Sequence, residues 1–136
     1  DNAGGTQAIL DSLEQEFEGL LFANLIEFDM IFGHRNDPKG YGAALEAFDR
    51  AVPAIMERLN ETDLAIISAD HGVDPTTPGT DHSREHVPLL AFGPALTSSI
   101  DLGVRKTLAD VAATIADNFG LDAPLSGSSF LSKLIS

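Results

Sequence analysis

Three histidines and two carboxylates gather in two short stretches of this chain. The first stretch begins with Asp29 and ends with His34, and the second contains the adjacent pair Asp70 and His71. His82 follows that pair after a loop rich in proline, glycine and threonine. A chain of 136 residues seldom gathers these residue types for packing alone. Imidazole and carboxylate together suit Zn²⁺, Mn²⁺ or Fe, whereas an all-oxygen set would indicate Mg²⁺ or Ca²⁺, so the pattern predicts a transition-metal site.

The loop between His71 and His82 decides whether these side chains can meet. Residues 74–82 contain too much proline and glycine for a helix and are too polar for a buried strand. The segment is therefore an ordered loop or a disordered one, and an ordered loop would return His82 toward His71. Loops at strand ends that carry several candidate ligands are disproportionately functional, which favours the ordered loop over a solvated surface segment.

Some of the neighbouring residues have a purely structural interpretation as well. Taken singly, His34 and His86 could each be exposed residues at the start of an element. The nearby carboxylates favour His34 as a ligand, whereas His86 has no equally placed carboxylate. Arg35 and Arg84 flank the two stretches and could bind a phosphate in a bidentate manner. A surface ion pair explains either arginine equally well.

The apolar pattern predicts helices that alternate with strands. The predicted helices span residues 6–17 with Thr6 as the cap, 41–59, and 107–119, followed by a short turn or helix at the end of the chain. The predicted buried strands span residues 20–28, 64–69 and 87–92. Pro53 should kink or divide the second helix, because proline removes a backbone donor and clashes with the preceding turn. This alternation predicts an α/β fold with a mostly parallel sheet and helices on both faces.

The candidate ligands lie at the ends of two predicted strands. Asp29 comes at the end of the first strand, and Asp70 and His71 come directly after the second. In open α/β sheets, ligands collect outside the carboxyl ends of the strands. Adjacent residues of a strand point to opposite faces, so Asp70 and His71 can approach one metal region only if the backbone bends there. Gly72 supports that bend.

Composition excludes several kinds of partner. The chain has 21 acidic and 8 basic residues, and its formal charge of -13 repels the phosphates of nucleic acids and anionic lipids. Bound divalent cations would offset this charge locally and permit a phosphorylated substrate. Cysteine is absent, so any metal must use nitrogen and oxygen donors. No apolar run reaches the roughly 20 residues of a membrane span and no signal peptide is evident, so a soluble, cytoplasmic, single-domain chain is expected.

Roughly residues 20–93 resemble the carboxyl-terminal part of the phosphopentomutases, a family in the alkaline phosphatase superfamily of metalloenzymes, through two segments and the helix between them. The segments are residues 27–37 and 68–88. An Asp-His-Gly after a strand, here at 70–72, is common to the superfamily, whereas the proline-threonine loop that ends in Asp-His-Ser-Arg-Glu at 81–85 is narrower. The resemblance implies that residues 1–136 are one carboxyl-terminal fragment of an alkaline-phosphatase-like core. This core would be incomplete, without the cap domain and the amino-terminal core segment.

The resemblance also implies a set of metal ligands. In the family's centre of two Mn²⁺ ions, Asp29, His34 and His82 would bind one ion, and Asp70 and His71 would bind the other. Zn²⁺ or another divalent ion is an alternative in the fragment. The family's nucleophilic threonine and one further aspartate ligand have no counterpart that can be assigned here, so no catalytic residue is predicted.

The activity that the resemblance implies is the interconversion of (deoxy)ribose 1-phosphate and (deoxy)ribose 5-phosphate through a phosphoenzyme. The substrate of the intact enzyme would be a sugar phosphate, and the fragment alone would be inactive. Two alternatives remain open. Asp-His-Gly alone would also serve a phosphoglycerate mutase or a phosphodiesterase of the same superfamily, and a non-catalytic interaction domain would use the acidic surface instead. A fragment with exposed apolar surface is also expected to self-associate.

Overall fold

The computed structural model describes residues 1–96, 99–122 and 126–135. The chain divides into two compact units, Asp1–Pro94 and Ala95–Ser136. Within the described residues, no helix has the length and apolar character needed to cross a membrane.

Three helices pack against one another in the first unit: α1 (Asn2–Leu13), α2 (Pro38–Asp49) and α3 (Val52–Met56). The predicted first helix was placed too late, because the cap is Asp1, whose carboxylate accepts a hydrogen bond from Gly4 N at 2.6 Å. Thr6 lies inside α1, where its hydroxyl donates to the carbonyl of Asn2 at 2.8 Å. The Asp37 carboxylate caps α2 in the same way, whereas α3 has no side-chain cap.

Pro53 divides the predicted helix of residues 41–59, as expected. The helix breaks at Arg50 and Ala51, between α2 and α3. Pro53 lies in the first turn of α3. Backbone N–H groups in the first turn have no acceptor within the helix, so the N–H that proline lacks costs no hydrogen bond there. The short α3 contributes Ile55, whose residue surface is only 7% exposed, to the packing among the three helices.

The sheet of the first unit consists of β1 (Ala65–Ser68) and β2 (Leu89–Phe92), which pair antiparallel. The mostly parallel sheet of the sequence analysis is therefore not present among the described residues. Parallel neighbours need a crossover connection, usually a helix, and the segment between β1 and β2 contains no helix. The chain instead folds back on itself, and an isolated bridge between Gly72 and Ser83 extends the antiparallel pairing into the loop.

The prediction of a strand at residues 20–28 was wrong. Among the described residues, β1 and β2 pair only with each other, so this segment lacks a strand neighbour to complete its backbone hydrogen bonds. Its end is held instead by α1, since Asn2 N donates to Glu27 Oε2 at 2.6 Å. Apolar side chains of the segment remain exposed, with Phe22 80% exposed.

The second unit contains α4 (Ala109–Asn118) and a short terminal helix, α5 (Leu131–Leu134), as predicted. The two helices pack around Phe130 and Thr114, whose surfaces are 1% and 0% exposed. Thr114 Oγ1 accepts a hydrogen bond from Phe130 N at 3.0 Å and donates to the carbonyl of Asp110 at 2.8 Å.

Thr107 and Asp110 have the spacing of a capping box at the start of α4, but the box forms only in part. Thr107 Oγ1 accepts a hydrogen bond from Ala109 N at 3.2 Å, but the Asp110 carboxylate is buried and bonds to other residues instead. It accepts from Ser128 N at 2.8 Å and from Arg105 Nε at 2.7 Å, and these interactions hold the pKa of the Asp110 carboxyl below its usual value. At the other end of α4, Gly120 has a φ of 62°, which permits the backbone to close the helix.

Candidate metal centre

A π-helix, Phe28–Gly33, positions the first two candidate ligands. The backbone N–H of His34 donates to the carbonyl of Asp29 at 2.9 Å, five residues earlier. This wider hydrogen-bond spacing places residues five apart on nearly the same side, whereas an α-helix would turn them well apart. As a result, His34 Nε2 lies 3.1 Å from Asp29 Oδ2.

The loop of residues 73–82 is ordered and returns His82 to this pair, as the ordered interpretation predicted. The Ser83 N–H donates to the carbonyl of Gly72 at 3.3 Å and closes the base of the loop. At Gly72, a Cβ would lie 2.5 Å from the carbonyl oxygen of Glu85, so the close approach of the two backbones requires glycine. The imidazole of His82 stacks on that of His71, with ring centroids 3.6 Å apart.

Two sets of hydrogen bonds hold the loop. At its start, the Asp74 carboxylate accepts from Thr76 Oγ1 at 2.6 Å and from Thr76 N at 2.9 Å, and both bonds lower the pKa of the Asp74 carboxyl. At its tip, Asn36 Nδ2 donates to the carbonyl of Gly79 at 2.8 Å, and His34 Nδ1 contacts the carbonyl oxygen of Thr80. Residues that follow the π-helix therefore contact the loop just before His82.

Four of the five predicted ligands meet in one cluster. His82 Nε2 lies 3.6 Å from Asp29 Oδ1 and 3.3 Å from His34 Nε2. Asp29, His71 and His82 each offer one ligand atom, and these three atoms lie within 4.8 Å of one another. Asp70 is the exception: its side chain is 81% exposed, and its only recorded partner among the described residues is His71 Nε2, 3.7 Å from Asp70 Oδ1.

The spacing of the donors fits a divalent cation. Ligand atoms bound at about 2.1 Å in a tetrahedral arrangement lie about 3.4 Å apart, and the separations among Asp29, His34 and His82 range from 3.1 to 3.6 Å. His34 contacts one oxygen of the Asp29 carboxylate, Oδ2, and His82 contacts the other, Oδ1. Asp29 Oδ1 is buried and has no hydrogen-bond donor, and a cation would satisfy it.

The imidazole tautomers also fit metal binding. His34 Nδ1 and His71 Nδ1 each face a backbone carbonyl, of Thr80 and Gly72 respectively, the second at 3.2 Å. A carbonyl only accepts, so each Nδ1 can donate its N–H to that carbonyl while Nε2 binds a cation. Metal-bound histidines commonly donate their second ring N–H in this way, which fixes the ring and its tautomer.

Several residues near the cluster were missed or left open by the sequence. Asn36 was not singled out from the sequence. Its φ of 50° lies in the left-handed region, which asparagine tolerates, and the turn signals before Asp37 could have indicated this conformation. Burial and the Asp29 carboxylate raise the pKa of the Tyr41 phenol. Arg35 and Arg84 are exposed and form no ion pair with the described residues.

Comparison with known proteins places this chain in a family. The model of the Metalloenzyme superfamily matches residues 1–123. Proteins named phosphopentomutase are similar to the chain: that of Herpetosiphon aurantiacus is 61% identical over 98% of the chain, and that of Acetivibrio thermocellus is 50% identical over 99%. The phosphopentomutase of Caldanaerobacter subterraneus subsp. tengcongensis is 52% identical over 98%.

The chain spans about a third of the length of these relatives, between 34% and 35%. The family match covers the π-helix, the loop and every candidate ligand of the cluster. The donor cluster and the similarity along nearly the whole chain agree, and the chain belongs to the Metalloenzyme superfamily.

Proposed function

We propose that this chain is the metal-binding carboxyl-terminal portion of a phosphopentomutase. The observation that carries the proposal is the high identity to proteins of that name along almost the whole chain. The parent enzyme would interconvert (deoxy)ribose 1-phosphate and (deoxy)ribose 5-phosphate through a phosphoenzyme, as a cytoplasmic isomerase of nucleotide metabolism. The residues that supply the nucleophile and cover the sugar phosphate would come from the rest of that protein.

The same proposal extends to the fold. In the parent protein, β1 and β2 would belong to a larger, mostly parallel sheet with helices on both faces, in which an antiparallel strand at the edge is common. Five large apolar side chains between residues 17 and 26 are exposed, which supports a larger core, because exposed apolar patches usually mark a surface that other parts of a protein cover. For the same reason, we expect the isolated chain to self-associate.

The proposed ligands divide between two Mn²⁺ positions. Asp29, His34 and His82 would bind one ion, and Asp70 and His71 would contribute to the second. Bound divalent ions would stabilise negative charge on a transferring phosphoryl group and lower the pKa of an attacking hydroxyl. The chain's own contribution is to hold the donors in place: the π-helix aligns Asp29 with His34, and the loop adds His82.

The loop threonines have structural roles in this arrangement. The hydroxyls of Thr76 and Thr77 donate to the carboxylate and the carbonyl of Asp74, respectively. The carbonyl of Thr80 faces His34. These contacts order the loop, and we therefore assign none of the three as a nucleophile.

Metal binding by the chain itself provides the first test. We expect calorimetric titration with Mn²⁺ to show binding, and His82→Ala to weaken it at least about tenfold, because one imidazole donor is lost. His86→Ala is the matched control, since His86 is exposed and makes no hydrogen bond, ion pair or ring contact with the described residues. The absence of heat for the unsubstituted chain would refute the metal proposal.

The activity is tested on the whole protein that contains this chain. With Mn²⁺ present, we expect it to convert ribose 1-phosphate into ribose 5-phosphate without releasing inorganic phosphate, because a mutase returns the phosphoryl group to the sugar. Phosphorus NMR distinguishes the two sugar phosphates and free phosphate in one spectrum. Activity on phosphoglycerates or phosphodiesters instead would assign the chain to another enzyme of the superfamily.

A further inference from the structure

Besides the contacts of His82 itself, two contacts connect the tip of its loop to residues that follow the π-helix. They join Asn36 to Gly79 and His34 to Thr80, as described above. His82 follows Thr80 by two residues, so these carbonyls position the backbone that leads into its imidazole. The other internal hydrogen bonds of the loop, around Asp74 and at Ser83, lie at its start and base.

We propose that Asn36 is a positioning residue for the metal centre: its amide holds the loop tip so that the imidazole of His82 faces Asp29 and His34. This inference rests on the proposed metal binding and adds a residue that is not itself a ligand. Asn36 donates a hydrogen bond through its amide nitrogen Nδ2. A ligand for a cation must instead offer a lone pair, which this nitrogen does not have available. Its effect reaches the metal through the loop carbonyls.

The backbone of Asn36 makes the residue suited to this position. Its φ of 50° lies in the left-handed region, which asparagine and glycine adopt most readily. The turn aims the short amide at the loop, and the N–H of Asn36 donates to the carbonyl of Gly33 at 3.0 Å. Any replacement that keeps this conformation but lacks a donor should release the loop tip without unfolding the unit.

Two variants separate the lost donor from other effects. Asn36→Gly keeps the left-handed conformation and the charge but removes the amide. Asn36→Asp keeps the size and adds a negative charge that by itself would attract cations. We expect both to lower the affinity for Mn²⁺ about tenfold in calorimetric titration, while the melting temperature stays near that of the unsubstituted chain. Asn24→Gly and Asn24→Asp, at an exposed residue without recorded hydrogen bonds in the described structure, should leave the affinity unchanged.

A second measurement works without metal. The imidazole nitrogens of His34 should give different nitrogen-15 NMR signals in both Asn36 variants than in the unsubstituted metal-free chain, because the Thr80 carbonyl no longer faces Nδ1 in the variants. Unchanged Mn²⁺ affinity together with unchanged His34 signals would overturn the role of Asn36 while the proposed function stands. If the unsubstituted chain binds no Mn²⁺, the proposed function fails, and the His34 signals alone then decide whether Asn36 positions the loop.

Discussion

Asp29→Ala should lower the affinity of the chain for Mn²⁺ at least about a hundredfold. Loss of a residue that only supports a metal ligand typically costs 10- to 100-fold, and loss of a ligand should reach or exceed the upper value. Among the described residues, Asp29 is the one carboxylate in contact with both His34 and His82, and it also belongs to the triad with His71. Calorimetric titration with Mn²⁺ measures the change directly.

The matched control for this prediction is Asp49→Ala. Asp49 is the last residue of α2, is exposed and has no recorded partner in the described parts of the chain, and its replacement changes the net charge equally. In a chain of formal charge -13, general attraction of cations to acidic surface is the main competing explanation. An equal loss of affinity in both variants would favour that explanation over a defined site.

The clustering of ligands could be predicted because it depends on local residue types. The turn residues between His71 and His82 indicated a loop that returns, and it does return. The π-helix could not be predicted from apolar spacing. Residues 20–28 were interpreted as a strand that ended at Asp29, whereas the wider helical turn from Phe28 is what aligns Asp29 with His34.

Sheet pairing was the least predictable part of the fold, since it depends on partners far apart in sequence. The boundaries of β1 and β2 were found within two residues by their apolar runs. Their antiparallel direction follows from the loop that folds back at Gly72, which the alternation of helices and strands did not take into account. Asp70 illustrates the same difficulty: its side chain is largely exposed, and among the described residues only His71 contacts it, so its place in the sequence does not indicate what surrounds the carboxylate.

The burial of particular side chains in the second unit could not be predicted from the sequence either. The terminal helix was predicted, but the pattern did not indicate that Phe130 would be almost fully enclosed. Its position depends on hydrogen bonds from distant residues, because the Thr114 hydroxyl accepts from Phe130 N and the Asp110 carboxylate accepts from Ser128 N. The guanidinium of Arg105 also lies 5.5 Å from the centre of the Phe130 ring.

Phe130→Ala should unfold the second unit. Removal of a buried phenylalanine side chain costs about 3–5 kcal/mol, and a unit this short rarely has more than about that to lose. Phe119→Ala removes the same atoms from a residue that is 43% exposed, so we expect it to cost far less. Amide exchange measured by NMR at Thr114 reports the difference, because this residue is fully buried between the two helices. Similar exchange rates in the two variants would show that Phe130 does not carry the packing of this unit.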